Sequence, residues 1–322
     1  MTILVTGAAG FIGSFVCEKL LGTEHTVIGI DNLNNSYDVN LKRARLHRLD
    51  HPKFQFFKQD ITESGGLAEI FKQNHIASVI HLAAEAGVTQ GEEKPEQFIN
   101  SNIVGFGHVL ENCRHHSIKH LIYASTAAVY GDNEDFPVTE NSNSDQPLTL
   151  YGATKKANEV LANSYAEQFA MRITGLRFFS VYGPWARPDM ALCKFTRQIM
   201  QNEPIKLHNK GNHTRDMIYI DDLVDAITVV WSETGVKATE KKHQIYNIGN
   251  QQAIGLKQMV QVLEQQLGKH TEHHLVPLQK GEIIDNQADA SKFYRRFGIM
   301  PKVAFEQGVE KFLQWYREYH QQ

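Results

Sequence analysis

Tyr151-Gly-Ala-Thr-Lys155 sets a phenol and an ammonium four positions apart, which on a helix stacks them on one face, one turn from each other. A phenol titrates near ~10 and accepts protons poorly at neutral pH, but a cation held nearby favours the phenolate. The pair can therefore make a general base. An exposed helical Tyr and Lys is the competing reading, because such a spacing arises readily by chance in a chain with 11 tyrosines.

A second cluster supplies context. Thr6-Gly7-Ala-Ala-Gly10-Phe11-Ile12-Gly13 stands between an apolar run, Ile3 to Thr6, and a helical pattern from Phe11 to Leu21. Glycines at this place permit a tight turn and close backbone approach, and the helix N-terminus attracts a pyrophosphate. Asp31 follows the next apolar run, Thr26 to Ile30, where its carboxylate can bond a ribose 2′-hydroxyl and repel a 2′-phosphate. This predicts NAD rather than NADP, against the plainer reading of Asp31 as a loop or capping residue. Asp60 after a Phe-rich third strand is expected near the adenine edge.

The elements around these residues alternate. Phe54 to Phe57, Ser78 to His81, Leu121 to Ala124 and Ile173 to Arg177 read as strands, separated by helix-length segments such as Gly65 to Asn74 and Ile103 to His116. Such a pattern predicts an α/β fold with a parallel, doubly wound Rossmann sheet. After Gly183-Pro184 the rhythm changes. Strands near Ile205 to Leu207 and Gln244 to Ile248, and helices near Asp222 to Trp231, Leu256 to Leu267 and Phe305 to Tyr319, are expected to build a smaller C-terminal α/β region. The predicted division is 1–183 for the dinucleotide domain and 184–322 for mainly substrate binding, with chain crossover between the two.

Composition narrows the partners. With 322 residues, 42% hydrophobic and a net charge of -3, the chain can bury a large core and carries no basic block for nucleic acid or an anionic membrane. The N-terminal apolar run lacks a charged flank, and no run reaches membrane-spanning length, so a cytoplasmic location is expected. Cys17, Cys113 and Cys193 are widely spaced and read as reduced and mostly buried, and neither they nor the 16 histidines form a metal-ligating pattern.

Taken together, Gly7 to Gly13, Asp31-Asn-Leu, His81-Leu-Ala-Ala, Val129-Tyr-Gly131 and Tyr151 to Lys155 resemble the extended short-chain dehydrogenase/reductase family over nearly the whole chain. The resemblance implies Tyr151 as catalytic base and Lys155 as the residue that lowers its pKa and contacts the nicotinamide ribose, with Asn32, Ile61, Leu82, Ala83 and Ala84 also along the cofactor. It implies Thr126 as the hydroxyl sharing the substrate's hydrogen bond, and a homodimer paired through the helices at Ile103 to His116 and Tyr151 to Phe169. Sugar-nucleotide 4,6-dehydratases and UDP-glucuronate decarboxylases carry acidic groups after the Ser or Thr, whereas this chain has Ala127 and Ala128, which cannot move a proton. Simple oxidation and re-reduction at one carbon, an epimerisation, is the expected outcome.

Ser180-Val-Tyr-Gly-Pro-Trp-Ala-Arg187-Pro-Asp-Met-Ala is similar to UDP-glucuronate 4-epimerases, as are Asp31-Asn-Leu-Asn and Tyr37-Asp-Val-Asn-Leu. In that setting Arg187 can hold a C6 carboxylate through two charge-assisted bonds, with Ser180 beside it. The resemblance further implies Lys194 and Arg215 at the UDP moiety and Glu282 in a segment closing over the nucleotide. Thr89 and Asn286-Gln287 differ from those enzymes, which commonly carry Arg and Thr-Tyr there. Two other readings stay open: a 4-epimerase of UDP-glucose or UDP-N-acetylglucosamine, and a catalytically silent NAD-sensing protein.

Overall fold

The computed structural model describes residues 1–133, 135–233, 240–278 and 283–320, with only the backbone described at 88–90. In chain order the elements are β1 (Thr2–Thr6), α1 (Phe11–Leu21), β2 (Thr26–Asp31), α2 (Val39–His47), β3 (Phe54–Lys58), α3 (Ser64–Gln73), β4 (Ile76–His81), α4 (Val88–Glu93), α5 (Pro95–Ile99), α6 (Gly105–His115) and β5 (His120–Thr126). They continue with α7 (Leu150–Phe169), β6 (Ile173–Phe178), β7 (Ser180–Tyr182), α8 (Ala191–Gln201), β8 (Ile205–Leu207), β9 (Thr214–Tyr219), α9 (Ile220–Ser232), β10 (His243–Ile248), β11 (Ala253–Gly255), α10 (Leu256–Leu267), β12 (His273–Leu275), α11 (Ser291–Phe297) and α12 (Phe305–His320).

Two compact units emerge. The first comprises Met1–Gly131, Ser142–Phe178 and Val224–Tyr246, and the second comprises Asp132–Asn141, Phe179–Leu223 and Asn247–Gln322. The chain therefore crosses between units several times.

In the large sheet the order is β10-β6-β5-β4-β1-β2-β3, and the pairs from β6 through β3 are parallel. Its central strands are buried on both faces: Leu4, Ile28, Val79, Leu121 and Ile173 share a cluster with Phe106, Val109 and Leu110 of α6, and the alternate residues Ile3, Val5, Val27, Ile80 and Ile122 are buried as well. This is the parallel doubly wound fold that the alternation of runs predicts. One strand departs from the sequence reading. The run near Gln244 to Ile248, expected in the smaller region, forms β10 and closes one edge of the large sheet. A short run of apolar residues does not reveal which sheet will take it.

The second unit contains a three-stranded sheet ordered β11-β9-β7 and a parallel pair β12-β8. Cys17, Cys113 and Cys193 are all buried thiols. Among the described residues no helix is long and apolar enough to cross a membrane.

Candidate active site

The glycine turn forms because side chains are excluded from it. Gly7 adopts φ 70°, and a Cβ there would lie 2.9 Å from the Ala83 amide nitrogen; a Cβ at Gly13 would lie 2.0 Å from the Gly7 carbonyl oxygen. α1 then begins at Phe11 with Gly10 as its cap and no side chain capping it, so the amides of its first turn, including those of Phe11 and Ile12, have no intrahelical partner. A backbone cradle at a helix N-terminus suits a pyrophosphate.

Asp31 ends β2 beside this cradle. Its carboxylate accepts from the Ala9 amide at 3.2 Å and the Leu33 amide at 2.9 Å, and burial raises its pKa while Lys42 opposes the rise. Asn32 donates to Asp60 at 2.8 Å, and Asp60 also accepts from the Thr62 amide and hydroxyl. Burial pushes the Asp60 pKa up, but these hydrogen bonds together hold it below its ordinary value. Ile61 is buried and lies where a Cβ on Gly105 of α6 would have to be. On the other side of β1, the Thr6 hydroxyl oxygen accepts from the Leu82 and Ala83 amides at 3.1 and 3.0 Å. With both lone pairs used, the hydroxyl proton is directed at His81 Nδ1, 2.8 Å away, which puts the imidazole proton on Nε2. Burial first and the charge of Lys155 second lower the His81 pKa to about 3, so His81 is a neutral support for the turn from β4 into Leu82, Ala83 and Ala84. These residues fit a dinucleotide: two glycines that tolerate no side chain, a buried carboxylate at the end of β2 and a helix N-terminus between them.

Tyr151 and Lys155 lie on α7, whose start is fixed by Thr149, the side chain of which accepts from the Gly152 amide at 3.1 Å. Gly152 lets this first turn approach the turn after β5, since a Cβ would lie 2.6 Å from the Ala128 carbonyl oxygen. Thr126 ends β5, and its hydroxyl accepts from the Ala128 amide at 3.2 Å. Lys155 is 2% exposed and donates to the Ala124 carbonyl at 2.9 Å. Burial lowers its pKa to about 8.

Glu159, one turn beyond Lys155, was not singled out from sequence. It accepts from Nε and Nη2 along one edge of the Arg177 guanidinium at 2.8 Å each and from the Ser125 hydroxyl at 2.7 Å. Arg177 also donates to the Tyr130 hydroxyl at 2.8 Å. Burial would lower the Arg177 pKa, but the bonds to Glu159 and the Tyr130 phenol carry it above its ordinary value. The network ties α7, β5, β6 and the turn through Tyr130 together, and with them Thr126, Tyr151 and Lys155. The four-residue repeat Tyr151, Lys155, Glu159 was the available signal, but a buried carboxylate is recognised only once its partner, distant in sequence, is known. Asn102 is a second such residue. It lies in a π-helical turn, Asn100–Val104, donates to the Thr154 hydroxyl at 3.0 Å, and receives the Asn158 amide on its carbonyl at 2.7 Å.

The remaining predicted residues belong to the second unit. Ser180 opens β7, opposite Met217 of β9. Arg187 is engaged by Asp189, with Nε to Oδ1 at 3.0 Å and Nη2 to Oδ2 at 2.5 Å. Lys194 lies on the exposed face of α8. Arg215 directs its guanidinium at backbone carbonyls, to Ile284 at 3.0 Å and Ile283 at 2.7 Å, so it clamps the strand-like segment beside β9. Asp216 next to it accepts from the Asn250, Gln251 and Ala288 amides, and burial pushes its pKa up to about 6 against those bonds. Glu282 and the Thr89 side chain lie outside the described residues.

A doubly wound sheet with a glycine cradle, a buried carboxylate at the end of β2 and a helix carrying Tyr151 and Lys155 is the arrangement of a dinucleotide-dependent enzyme. The chain belongs to the NAD dependent epimerase/dehydratase family, which it matches over residues 3–249. It is 37% identical to UDP-glucuronate 4-epimerase 4 of Arabidopsis thaliana, over 99% of this chain and 76% of that one. The crystal structure of UDP-glucuronic acid 4-epimerase from Bacillus cereus in complex with UDP-glucuronic acid and NAD is similar with a TM-score of 0.92, 31% identity, and 99% and 100% of the two chains covered. That of UDP-glucose 4-epimerase from Thermotoga maritima with UDP-glucose gives 0.90 and 30%, with the same coverage.

Proposed function

We propose that this chain interconverts UDP-glucuronate and UDP-galacturonate by inverting C4 through a transient 4-keto sugar. The observation that carries the reading is the full-length similarity to an enzyme of that name solved with UDP-glucuronic acid and NAD, joined to a buried Lys155 on the helix of Tyr151. NAD, when bound, supplies the acceptor and the returning donor of the C4 hydride, so the net redox change is nil.

Tyr151 as phenolate takes the C4-hydroxyl proton and later returns it. The Lys155 ammonium favours the phenolate by charge, and Thr126 shares the substrate hydroxyl's hydrogen bond. Ala127 and Ala128 leave no second acid or base to carry the keto sugar on to dehydration. The 4-keto glucuronate is a β-keto acid, prone to lose carbon dioxide. Arg187 and Ser180 hold its carboxylate as an anion against the electron flow that decarboxylation requires. Lys194 and Arg215 serve the UDP end, Arg215 by holding the backbone at Ile283 and Ile284, which follows Glu282.

A neutral UDP-hexose is the second reading. The Arg187–Asp189 pair favours it, because a guanidinium already neutralised by a carboxylate must exchange that partner to hold another. NMR of UDP-glucuronate, UDP-glucose and UDP-N-acetylglucosamine, each incubated with the enzyme and NAD, separates the readings. Conversion of only a neutral sugar refutes the first, and binding of NAD without turnover of any UDP sugar favours a silent sensor.

The proposed assembly is a homodimer through α6 and α7. Val104, in the turn leading into α6, is 43% exposed and Val160 of α7 is 61% exposed, and Gly107 of α6 leaves open space for a close helix contact. A monomer at micromolar concentration by light scattering would refute it. Three buried thiols suit a reducing compartment, and the cytoplasm is the proposed location, to be checked by fractionation.

A further inference from the structure

In the large sheet β1 lies between β4 and β2. The glycine turn at its end is already bonded to both neighbours: Thr6 to Leu82 and Ala83 on one side, Ala8 and Ala9 to Ile30 and Asp31 on the other. A second link joins the same two neighbours farther out. Asn34, three residues past the end of β2, donates to Glu85 Oε1 at 2.6 Å, and Ser36 donates to Glu85 Oε2 at 2.9 Å. Glu85 is four residues past the end of β4. Two strand spacings, about 10 Å, therefore separate the strands from which these side chains arise, and the link spans the exit of β1.

Both abutments are firm. The Asn34 carbonyl accepts from Lys42 of α2 at 2.6 Å, and Lys42 is 5% exposed. The Glu85 backbone is read at both its amide and carbonyl by the Asn102 side chain, at 2.8 and 3.0 Å. Loops that only needed to avoid each other would not be fixed in this way.

We propose that Asn34, Ser36 and Glu85 form a bridge that closes over the dinucleotide on the glycine turn and controls its exchange. The inference rests on the dinucleotide reading above. The bridge must open for the cofactor to enter or leave, which suits an enzyme whose cofactor is restored in each turnover.

The test uses the full chain. Wild type, Asn34→Ala and Glu85→Ala are loaded with radiolabelled NAD, desalted and chased with unlabelled NAD, and NADH association is followed by stopped-flow fluorescence. The expected result is dissociation faster by about ten- to a hundredfold, the scale of losing one hydrogen bond to a charged group, with association also faster. Unchanged dissociation overturns the bridge, and so does faster dissociation with unchanged association, which is the signature of a simple contact. Ser36→Ala removes only the outer bond and should shift both rates the same way by a smaller factor, and it decides the matter if Glu85→Ala does not fold. A wild-type chain that binds no NAD overturns the dinucleotide reading and the bridge with it.

Discussion

Replacing Lys155 by Met tests whether the helix carries a buried charge. Met keeps much of the aliphatic stem and removes the ammonium. Burial takes the Lys155 pKa from an ordinary 10.5 to about 8, which at about 1.4 kcal/mol per pKa unit is a cost of about 3 kcal/mol to the folded state at pH 7. The sign follows from proton binding. Between pH 8 and 10.5 the unfolded chain binds the proton more tightly, so stability rises with pH across that window and the cost is fully present only below about 8. At pH 10 about 1 kcal/mol of it remains, so wild type should gain about 2 kcal/mol on Lys155→Met between pH 7 and 10. At pH 7 itself the difference is smaller than the charge cost alone, because Met also loses the bond to the Ala124 carbonyl, worth about 1.5 to 3 kcal/mol. Urea unfolding of both proteins without added NAD, at a series of pH values and fixed ionic strength, reads the difference from the midpoints. A stability difference that is flat with pH would refute the buried-charge account. Turnover should also fall about a hundredfold or more in the variant, since its Tyr151 has no cation to favour the phenolate.

Three shorter predictions accompany it. Tyr151→Phe removes only the hydroxyl, so turnover should drop by about a thousandfold while NADH fluorescence titration shows binding retained; a drop below tenfold would mean another base acts. Glu159→Ala leaves Arg177 buried without its carboxylate and should destabilise the chain by about 3 to 5 kcal/mol in urea, whereas Glu159→Gln keeps an acceptor and should cost less. Gly13→Ala puts a methyl where the Gly7 carbonyl stands, 2.0 Å away, and should weaken NAD binding at least tenfold by calorimetry; wild-type affinity would mean the turn is not the cradle.

The order of strands and helices from β1 to β6 was legible because buried parallel strands are short apolar runs and the helices between them must cover the sheet. The glycine turn, Asp31 and the Tyr151–Lys155 spacing could be read as well, because each depends on neighbours within one turn, one strand or one helix. No local pattern says which sheet edge takes a strand, and β10 became the edge of the large sheet. Pairing across sequence distance was equally hidden, Glu159 with Arg177 and Asn34 with Glu85, and although Arg187 and Asp189 stand only two residues apart, a motif does not disclose that they pair with each other. Residue type and spacing determined by themselves which chemistry was available. Tertiary structure alone decided which charges are buried, which are already paired, and so which remain for a substrate, because burial and partner geometry are properties of the folded chain rather than of any segment.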